Sequence, residues 1–98
     1  MKKKPLEQQI KQCKVKFSLE SADAHEVIVV GDFNHWDPKT HPMKNDGNGV
    51  WNRTLMLPAG KYEYKFLIDG VSKEDPKNDQ RCPNCFGTLN SILNISAQ

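Results

Sequence analysis

One stretch of alternating side chains, KYEYKFLID at residues 61–69, constrains the fold more than any other part of this sequence. The apolar residues that would share one face of an extended strand are Tyr62, Tyr64, Phe66 and Ile68. Leu67 is the exception, an apolar side chain on the otherwise polar face. Pro58-Ala59-Gly60 precedes the stretch and Asp69-Gly70 follows it, and both are turn signals, the second suited to a tight hairpin. The pattern predicts a half-buried β-strand.

Four further segments have the composition of strands. They are VKFSL at 15–19, EVIVVG at 26–31, GVWNRTLML at 49–57 and LNSILNI at 89–95. The second is a short apolar run typical of a central strand, and the last would be the final strand. No stretch after residue 12 has convincing helical periodicity. Several short strands at close spacing, with turn residues between them, predict an all-β antiparallel sandwich.

Length and composition indicate one soluble domain. The chain has 98 residues, of which 37% are hydrophobic and 27% charged. No apolar run approaches the roughly 20 residues of a membrane helix, and the basic N-terminus lacks the apolar region of a secretory signal. The net charge of +2 is too small to indicate nucleic-acid binding. We therefore expect a cytoplasmic protein with a basic extension at residues 1–12 and one β-sandwich domain at 13–98, without membrane or nucleic-acid partners.

The three cysteines do not form a recognisable metal or redox motif. Cys82 and Cys85 make a single CxxC, CPNC, and Cys13 stands alone. A structural zinc site usually needs four ligands, often two such pairs. A redox CxxC normally opens a helix after a strand, whereas this one reads as a loop. We expect thiols in a surface turn and no metal or cofactor.

Catalytic motifs are also missing from the sequence. It contains no Gly-rich phosphate loop, no G-x-S-x-G elbow and no HExxH. Glycoside hydrolysis would need two carboxylates across a cleft, one with a raised pKa. The acidic residues lie almost all in turns, where solvation keeps them ionised and where they more often cap backbone N–H groups. We expect a protein that is not an enzyme.

Trp36 is the residue that most needs a function. It lies in the polar loop VGDFNHWDP, residues 30–38, directly after an apolar strand. One interpretation is structural, with the indole folding back over the sandwich edge as a plug. The other is a stacking platform, because a flat aromatic surface matches the C–H face of a pyranose ring and nearby polar groups can bond its hydroxyls. Trp51, by contrast, alternates with Leu55 and Leu57 and is expected in the core. Lys65, outward on its strand, is either a solvated lysine or part of a ligand face.

The order of these motifs resembles a known family. VIVVGDFNHWDP, GVWNRTLMLPAGKYEYKFLIDG, then DP and FGTLNSILNI look like the glycogen-binding domain of the AMP-activated protein kinase β subunit. The same pattern occurs in the N-terminal modules of branching and debranching enzymes such as isoamylase. This is carbohydrate-binding module family 48, an early-set immunoglobulin-like fold. The resemblance runs from about Val15 to Ile95.

The resemblance implies an α-1,4-glucan ligand, glycogen or starch, and names the residues that would contact it. They are Trp36 for stacking, Lys65 for sugar hydroxyls, Phe86 as the side chain protruding through the curved glucan, and Thr88 and Asn90 as its polar partners. The chain departs from the kinase modules after the Asp69-Gly70 turn, where their second tryptophan is replaced by Ser72. Loss of one stacked aromatic lowers affinity by about 1–3 kcal/mol, by analogy with base stacking. Phe86 would compensate in part, and CPNC would reshape the same rim.

Two functions from different classes follow. The first is a non-catalytic glucan-binding module, whose partner is a polysaccharide or oligosaccharide. The second is a docking module of the same fold that binds a protein, such as a glycogen-metabolising enzyme, through an exposed sheet edge and binds little sugar. The set Trp36, Lys65, Thr88 and Asn90 favours the first, and Ser72 favours the second.

Overall fold

A computed structural model describes residues 12–84 and 87–96, and within them eight strands form two antiparallel sheets. The strands are β1 (Gln12–Glu20), β2 (Val27–Gly31), β3 (Lys44–Asn45), β4 (Val50–Pro58), β5 (Gly60–Ile68), β6 (Val71–Lys73), β7 (Arg81–Pro83) and β8 (Leu89–Ile95). A 3-10 turn at Asp32–Asn34 follows β2. The predicted extension at residues 1–12 lies outside the described residues except for Gln12, which begins β1.

The smaller sheet has the order β1-β4-β3. Its register places Phe17 opposite Arg53 and Leu19 opposite Trp51. Phe17 and Leu19 are buried while Lys14 and Lys16 are exposed, as the alternation in VKFSL predicts. One face of this sheet therefore points to the core and the other to solvent.

The larger sheet has the order β2-β5-β8-β7, with β6 also paired to β5. β2 ends this path rather than lying at its centre, which differs from the expectation for EVIVVG. Residues 41–43 cover its other edge, because Val29 N–H donates to the His41 carbonyl at 3.2 Å and Met43 N–H to the Val27 carbonyl at 2.8 Å. All five residues of β2 are buried, which accounts for the uninterrupted apolar run.

The core lies between the two sheets. Its buried residues are Phe17, Leu19, Val27, Val29, Met43, Trp51, Leu55, Leu57, Tyr64 and Phe66. Trp51 is 7% exposed and its indole N–H donates to the Ser21 carbonyl at 3.0 Å, so its one polar atom is satisfied. The predicted alternation of β5 is confirmed, because Tyr64 and Phe66 are buried and Tyr62 and Ile68 pack against the same cluster. These features confirm the all-β sandwich.

The hairpin between β5 and β6 is the tight turn that Asp69-Gly70 predicts. Both residues have positive φ, 50° and 86°, a combination that favours glycine and tolerates aspartate. The Asp69 carboxylate also accepts hydrogen bonds from the backbone N–H groups of His25 and Glu26 at 2.9 and 2.8 Å. The turn is thereby tied to the residues that precede β2.

Over residues 12–84 and 87–96, no helix has the length and apolar character needed to cross a bilayer.

Candidate functional site

A groove of about 520 Å³ lies on the outer face of the larger sheet. Since Tyr64 and Phe66 point into the core, the alternating side chains of Glu63, Lys65 and Leu67 point outward. All three line the groove. Leu67, the apolar exception on the polar face of β5, therefore lines the groove. An apolar side chain on a polar strand face is the sequence signal that could have indicated this role.

The apolar part of the groove comes from two elements. Leu67 belongs to β5, whereas Val30, Trp36 and Pro38 belong to β2 and the loop that follows it. Trp36 is 36% exposed, so its ring is neither sealed in the protein nor fully in solvent. Val30 is 3% exposed and directly opposite Lys65 in the ladder. An accessible indole therefore adjoins an apolar floor and an ammonium group.

The backbone that carries Trp36 is in an uncommon conformation. His35 and Trp36 have φ of 58° and 60°, two consecutive left-handed residues that are not glycine. Such residues cost about 1–3 kcal/mol each and persist where the surroundings fix them. Trp36 N–H donates to the Gly31 carbonyl at 3.0 Å and Asp37 N–H to the Asn34 carbonyl at 3.1 Å. These bonds close the turn and set the direction of the indole.

Asn34 holds the interior of this turn and was not among the predicted site residues. Its Oδ1 accepts the Gly31 N–H at 3.0 Å, while its Nδ2 lies 3.1 Å from the Val29 carbonyl and 2.9 Å from His41 Nδ1. Since Nδ2 is the donor, His41 accepts through Nδ1. Burial, together with the positive charge of Arg53, lowers the pKa of His41 and favours that neutral form. The buried asparagine of F-N-x-W is thus a positioning residue for Trp36.

Phe33 anchors the same turn to the core. Its ring centroid lies 5.5 Å from that of Phe17 and 6.1 Å from that of Tyr62. At Gly31, a Cβ atom would come within 2.5 Å of the Glu63 carbonyl oxygen, so the close approach of β2 to β5 requires glycine. These contacts therefore pack the loop that bears the indole directly against the sheet and the core.

Polar side chains form the other part of the groove, and three of them are hydrogen-bonded to one another. Asp32, Glu63, Lys65, Ser72, Asn84 and Asn90 line it. Asn90 Nδ2 donates to Glu63 Oε1 at 3.0 Å, and Asn84 Nδ2 donates to Asn90 Oδ1 at 3.0 Å. Asn90 is only 5% exposed, and these bonds fix the orientation of its amide. Glu63, Asp32 and Asn84 were not predicted as site residues, although Asn84 belongs to the CPNC segment that was expected to reshape the rim.

Three of the five predicted contact residues, Trp36, Lys65 and Asn90, line this one groove. Thr88 lies beside it, exposed, with its Oγ1 accepting from Asn84 Nδ2 at 2.8 Å. Phe86 lies outside the described residues. Ser72, which was expected to replace a second tryptophan, lies in the groove and is paired with Leu67 of β5.

Cys82 is connected to the groove through Glu63. Hydrogen bonds from the Asn90 amide and the Cys82 thiol lower the pKa of Glu63, so its carboxylate is ionised in the groove. Burial and the same bond to Glu63 raise the pKa of Cys82, which disfavours the thiolate. Cys82 and Cys13 are free thiols, and Cys85 lies outside the described residues.

One acidic residue differs from the expectation that turn carboxylates are solvated. Asp75 is 9% exposed, accepts from the Tyr64 hydroxyl at 2.7 Å and caps the Lys77 N–H at 3.0 Å. It is enclosed because the β6–β7 connection folds back onto the sheet, where Ser91 Oγ accepts the Asp75 N–H at 2.8 Å.

Within the described ranges, no group of three or more His, Cys, Asp or Glu side chains is placed to hold a metal ion.

Comparison with known sequences identifies the family. Residues 13–98 match the model of the glycogen recognition site of AMP-activated protein kinase. The β-2 subunit of 5′-AMP-activated protein kinase from Mus musculus is 32% identical over 75 residues, 76% of this chain and 27% of that subunit. The 1,4-alpha-glucan branching enzyme GlgB 2 of Xanthomonas campestris pv. campestris is 39% identical over 69 residues, 63% of this chain and 9% of the enzyme.

One further relative comes from a plant, and one solved structure has a region of similar fold. The chloroplastic PTST homolog 2 of Arabidopsis thaliana is 45% identical over 53 residues, 54% of this chain and 10% of that protein. A maltogenic amylase from S. marinus has the same fold, with a TM-score of 0.74 at 22% identity, over 87% of this chain and 14% of the amylase.

The chain thus spans about a tenth of the branching enzyme and about a quarter of the kinase subunit. The amylase match supports the antiparallel β-sandwich fold. The family match at residues 13–98 includes all the sequence motifs on which the resemblance was based. This chain belongs to carbohydrate-binding module family 48, the family of the glycogen recognition site of AMP-activated protein kinase.

Proposed function

We propose that this chain is a non-catalytic module that binds α-1,4-glucans such as glycogen or starch, with residues 13–98 as the binding domain. The observation that carries the proposal is the meeting of Trp36 and Lys65 on one groove of a family 48 sandwich. A hexose would lie on the indole with its apolar C–H face, while polar side chains on the groove wall bond its hydroxyls.

Each predicted contact residue has a role in this proposal. Trp36 is the stacking platform, and Lys65 contributes up to three ammonium donors to sugar hydroxyls. Asn90 keeps one Nδ2 proton and one Oδ1 lone pair after its bonds to Glu63 and Asn84, so it can both donate and accept. Thr88 would contact the sugar at the rim beside Asn84, and Phe86 is proposed as the protruding side chain on the same rim.

The absence of catalysis is part of the proposal. Hydrolysis of a glycosidic bond requires one carboxylic acid that keeps its proton near neutral pH. Of the two carboxyl groups that line the groove, Glu63 has a lowered pKa and Asp32 is exposed. Neither environment is that of a general acid. The groove is therefore suited to holding a glucan rather than cleaving it.

A second candidate is a docking module. Two observations favour it: Ser72 leaves the groove with a single indole, and the relatives carry this module within much longer chains. β1 is nine residues long and pairs only with β4 in the described part of the chain. A partner strand could add to its free edge, although Lys14 and Lys16 on β1 disfavour edge pairing.

A pulldown on glycogen separates the two functions. We expect the wild-type chain to sediment with glycogen, Trp36→Ala to lose about 10- to 100-fold in affinity and Lys65→Ala about 3- to 10-fold. Met56→Ala and Lys14→Ala, exposed on the other sheet, are the matched controls and should bind like the wild type. A wild-type chain that stays in the supernatant, or site variants that bind as well as it does, would contradict glucan binding.

A further inference from the structure

Two carboxylates, of Asp32 and Glu63, stand on the wall of the groove that also holds Lys65. Among the described residues, Lys65 forms no ion pair with either, and the one ion pair found there joins His25 and Asp69. The carboxylates are therefore not neutralised by direct contact with the groove's ammonium group. Lys61 acts on Glu63 at longer range but does not line the groove.

Both carboxylates are fixed by the protein and keep unused acceptor capacity. Asp32 Oδ2 accepts the Glu63 N–H at 2.8 Å, and in the described structure Asp32 Oδ1 has no donor. Glu63 Oε1 accepts from Asn90 at 3.0 Å. An ionised carboxylate offers about four acceptor sites. Each group is thus positioned to accept a hydrogen bond from a ligand that has hydroxyl donors.

We propose that Asp32 and Glu63 restrict the groove to uncharged glucan segments, by accepting hydrogen bonds from sugar hydroxyls and by repelling anionic substituents such as phosphate esters. This inference rests on the proposed glucan function and adds a selectivity to it. The hydroxyl bonds are charge-assisted and stronger than bonds between neutral groups. These hydrogen bonds add to the contact that Trp36 makes with the ligand. They matter here because Ser72 stands where a second indole was expected. A phosphate ester on the ligand would lose those bonds and meet the carboxylate charge.

The test compares two ligands by calorimetric titration of the 98-residue chain: maltoheptaose and a maltooligosaccharide of equal length that carries phosphate esters. We expect wild type to bind the neutral ligand about 3- to 10-fold more tightly. Glu63→Gln and Asp32→Asn should each reduce this ratio in part, and the variant with both changes should bring it to near one. Glu20→Gln, which changes the net charge equally but lies on β1 of the other sheet, should leave the ratio unchanged.

The outcomes separate this selectivity from a structural role and from the proposed function. If Glu63 only oriented Asn90, Glu63→Gln would change the affinity of both ligands alike, and the inference would be wrong. Equal binding of both ligands by the wild type would also overturn it while leaving glucan binding intact. Absence of maltoheptaose binding to the wild type would overturn the proposed function and this inference together. Raising the salt to 1 M should shrink the ratio, because the screening length falls to about 3 Å.

Discussion

Val30 of β2 and Lys65 of β5 are directly opposite each other, and both side chains line the same groove. This pair joins the strand that leads into the Trp36 turn to the strand that carries the predicted sugar-bonding lysine. Because side chains alternate along a strand, a slip of one residue would turn Lys65 into the core and remove it from the groove. The register of β2 on β5 therefore determines whether an indole and an ammonium group share one surface.

Ser72→Trp should strengthen glucan binding. Ser72 is exposed on the groove, and the family resemblance led us to expect it at the position of the second indole of the kinase modules. A second stacking surface is worth about 1–3 kcal/mol, so affinity for maltoheptaose should rise about 10- to 100-fold in calorimetric titration. Val71→Trp, which adds the same ring to the neighbouring exposed position outside the groove lining, is the control. Equal gains in both variants would mean that the effect is not specific to the groove.

Asn34→Ala should destabilise the fold and weaken glucan binding together. The change removes the bonds to Gly31, Val29 and His41, and buried groups left without partners cost about 1–3 kcal/mol each. We expect the free energy of unfolding in urea to fall by at least about 2 kcal/mol. Asn48→Ala, exposed in the β3–β4 turn, should change it little. An Asn34→Ala protein that keeps wild-type stability and binding would show that Asn34 does not position Trp36.

His41 should make stability depend on pH in a defined window. Its pKa in the folded chain is lowered from 6.5, first by burial and then by the charge of Arg53. The unfolded chain therefore takes up the proton first as pH falls, and the free energy of unfolding decreases below about pH 6.5 until the folded pKa is passed. Well above pH 6.5, His41 is neutral in both states and does not make the free energy of unfolding depend on pH.

The measurement for His41 is urea unfolding between about pH 7.5 and 5, a range that brackets the ordinary histidine pKa. His41→Gln keeps an acceptor for Asn34 but does not titrate, so it should be less steeply destabilised than the wild type over this range. Parallel slopes in wild type and His41→Gln would contradict the assignment.

Tyr64→Phe should destabilise the sandwich more than Tyr62→Phe. The Tyr64 hydroxyl donates to the buried Asp75 carboxylate at 2.7 Å and accepts from Asn78 at 3.1 Å. Burial raises the pKa of Tyr64 well above 10, so this hydroxyl keeps its proton. Its loss should lower the free energy of unfolding by about 1–3 kcal/mol. The Tyr62 hydroxyl donates only to the half-buried Pro58 carbonyl, which water can solvate, and similar losses would count against the Asp75 network.

The strands were predictable where apolar and polar side chains alternate, because only one face of such a strand packs against the core. Residues 61–69 indicated the inner face of β5 because Tyr64 and Phe66 alternate with charged side chains. The Asp69-Gly70 pair indicated the turn because Asp and Gly tolerate the positive φ angles that a tight hairpin needs. β2 was harder to place, because a strand buried on both faces reads as an apolar run whether it is central or, like this one, covered by residues 41–43.

The groove was predictable only in part. The family pattern indicated Trp36, Lys65 and Asn90, but nothing local in the sequence relates Glu63 to Asn90, which are 27 residues apart and meet only through the β5–β8 ladder. Asn84 likewise reaches Asn90 by folding of the chain between β7 and β8. Such contacts depend on register, which the sequence of one strand does not specify.

Stacking of a glucan on Trp36 is tested most directly by titrating the chain with maltoheptaose and following the indole N–H signals in a ¹H–¹⁵N spectrum. The chain has two tryptophans, so two such signals report separately on the exposed Trp36 and on the buried Trp51, whose N–H is bonded to Ser21. We expect the Trp36 signal to shift on saturation while the Trp51 signal stays in place, with the assignment fixed by Trp36→Phe. A Trp36 signal that does not move while the glucan binds, or no change at either indole up to millimolar ligand, would contradict stacking on Trp36.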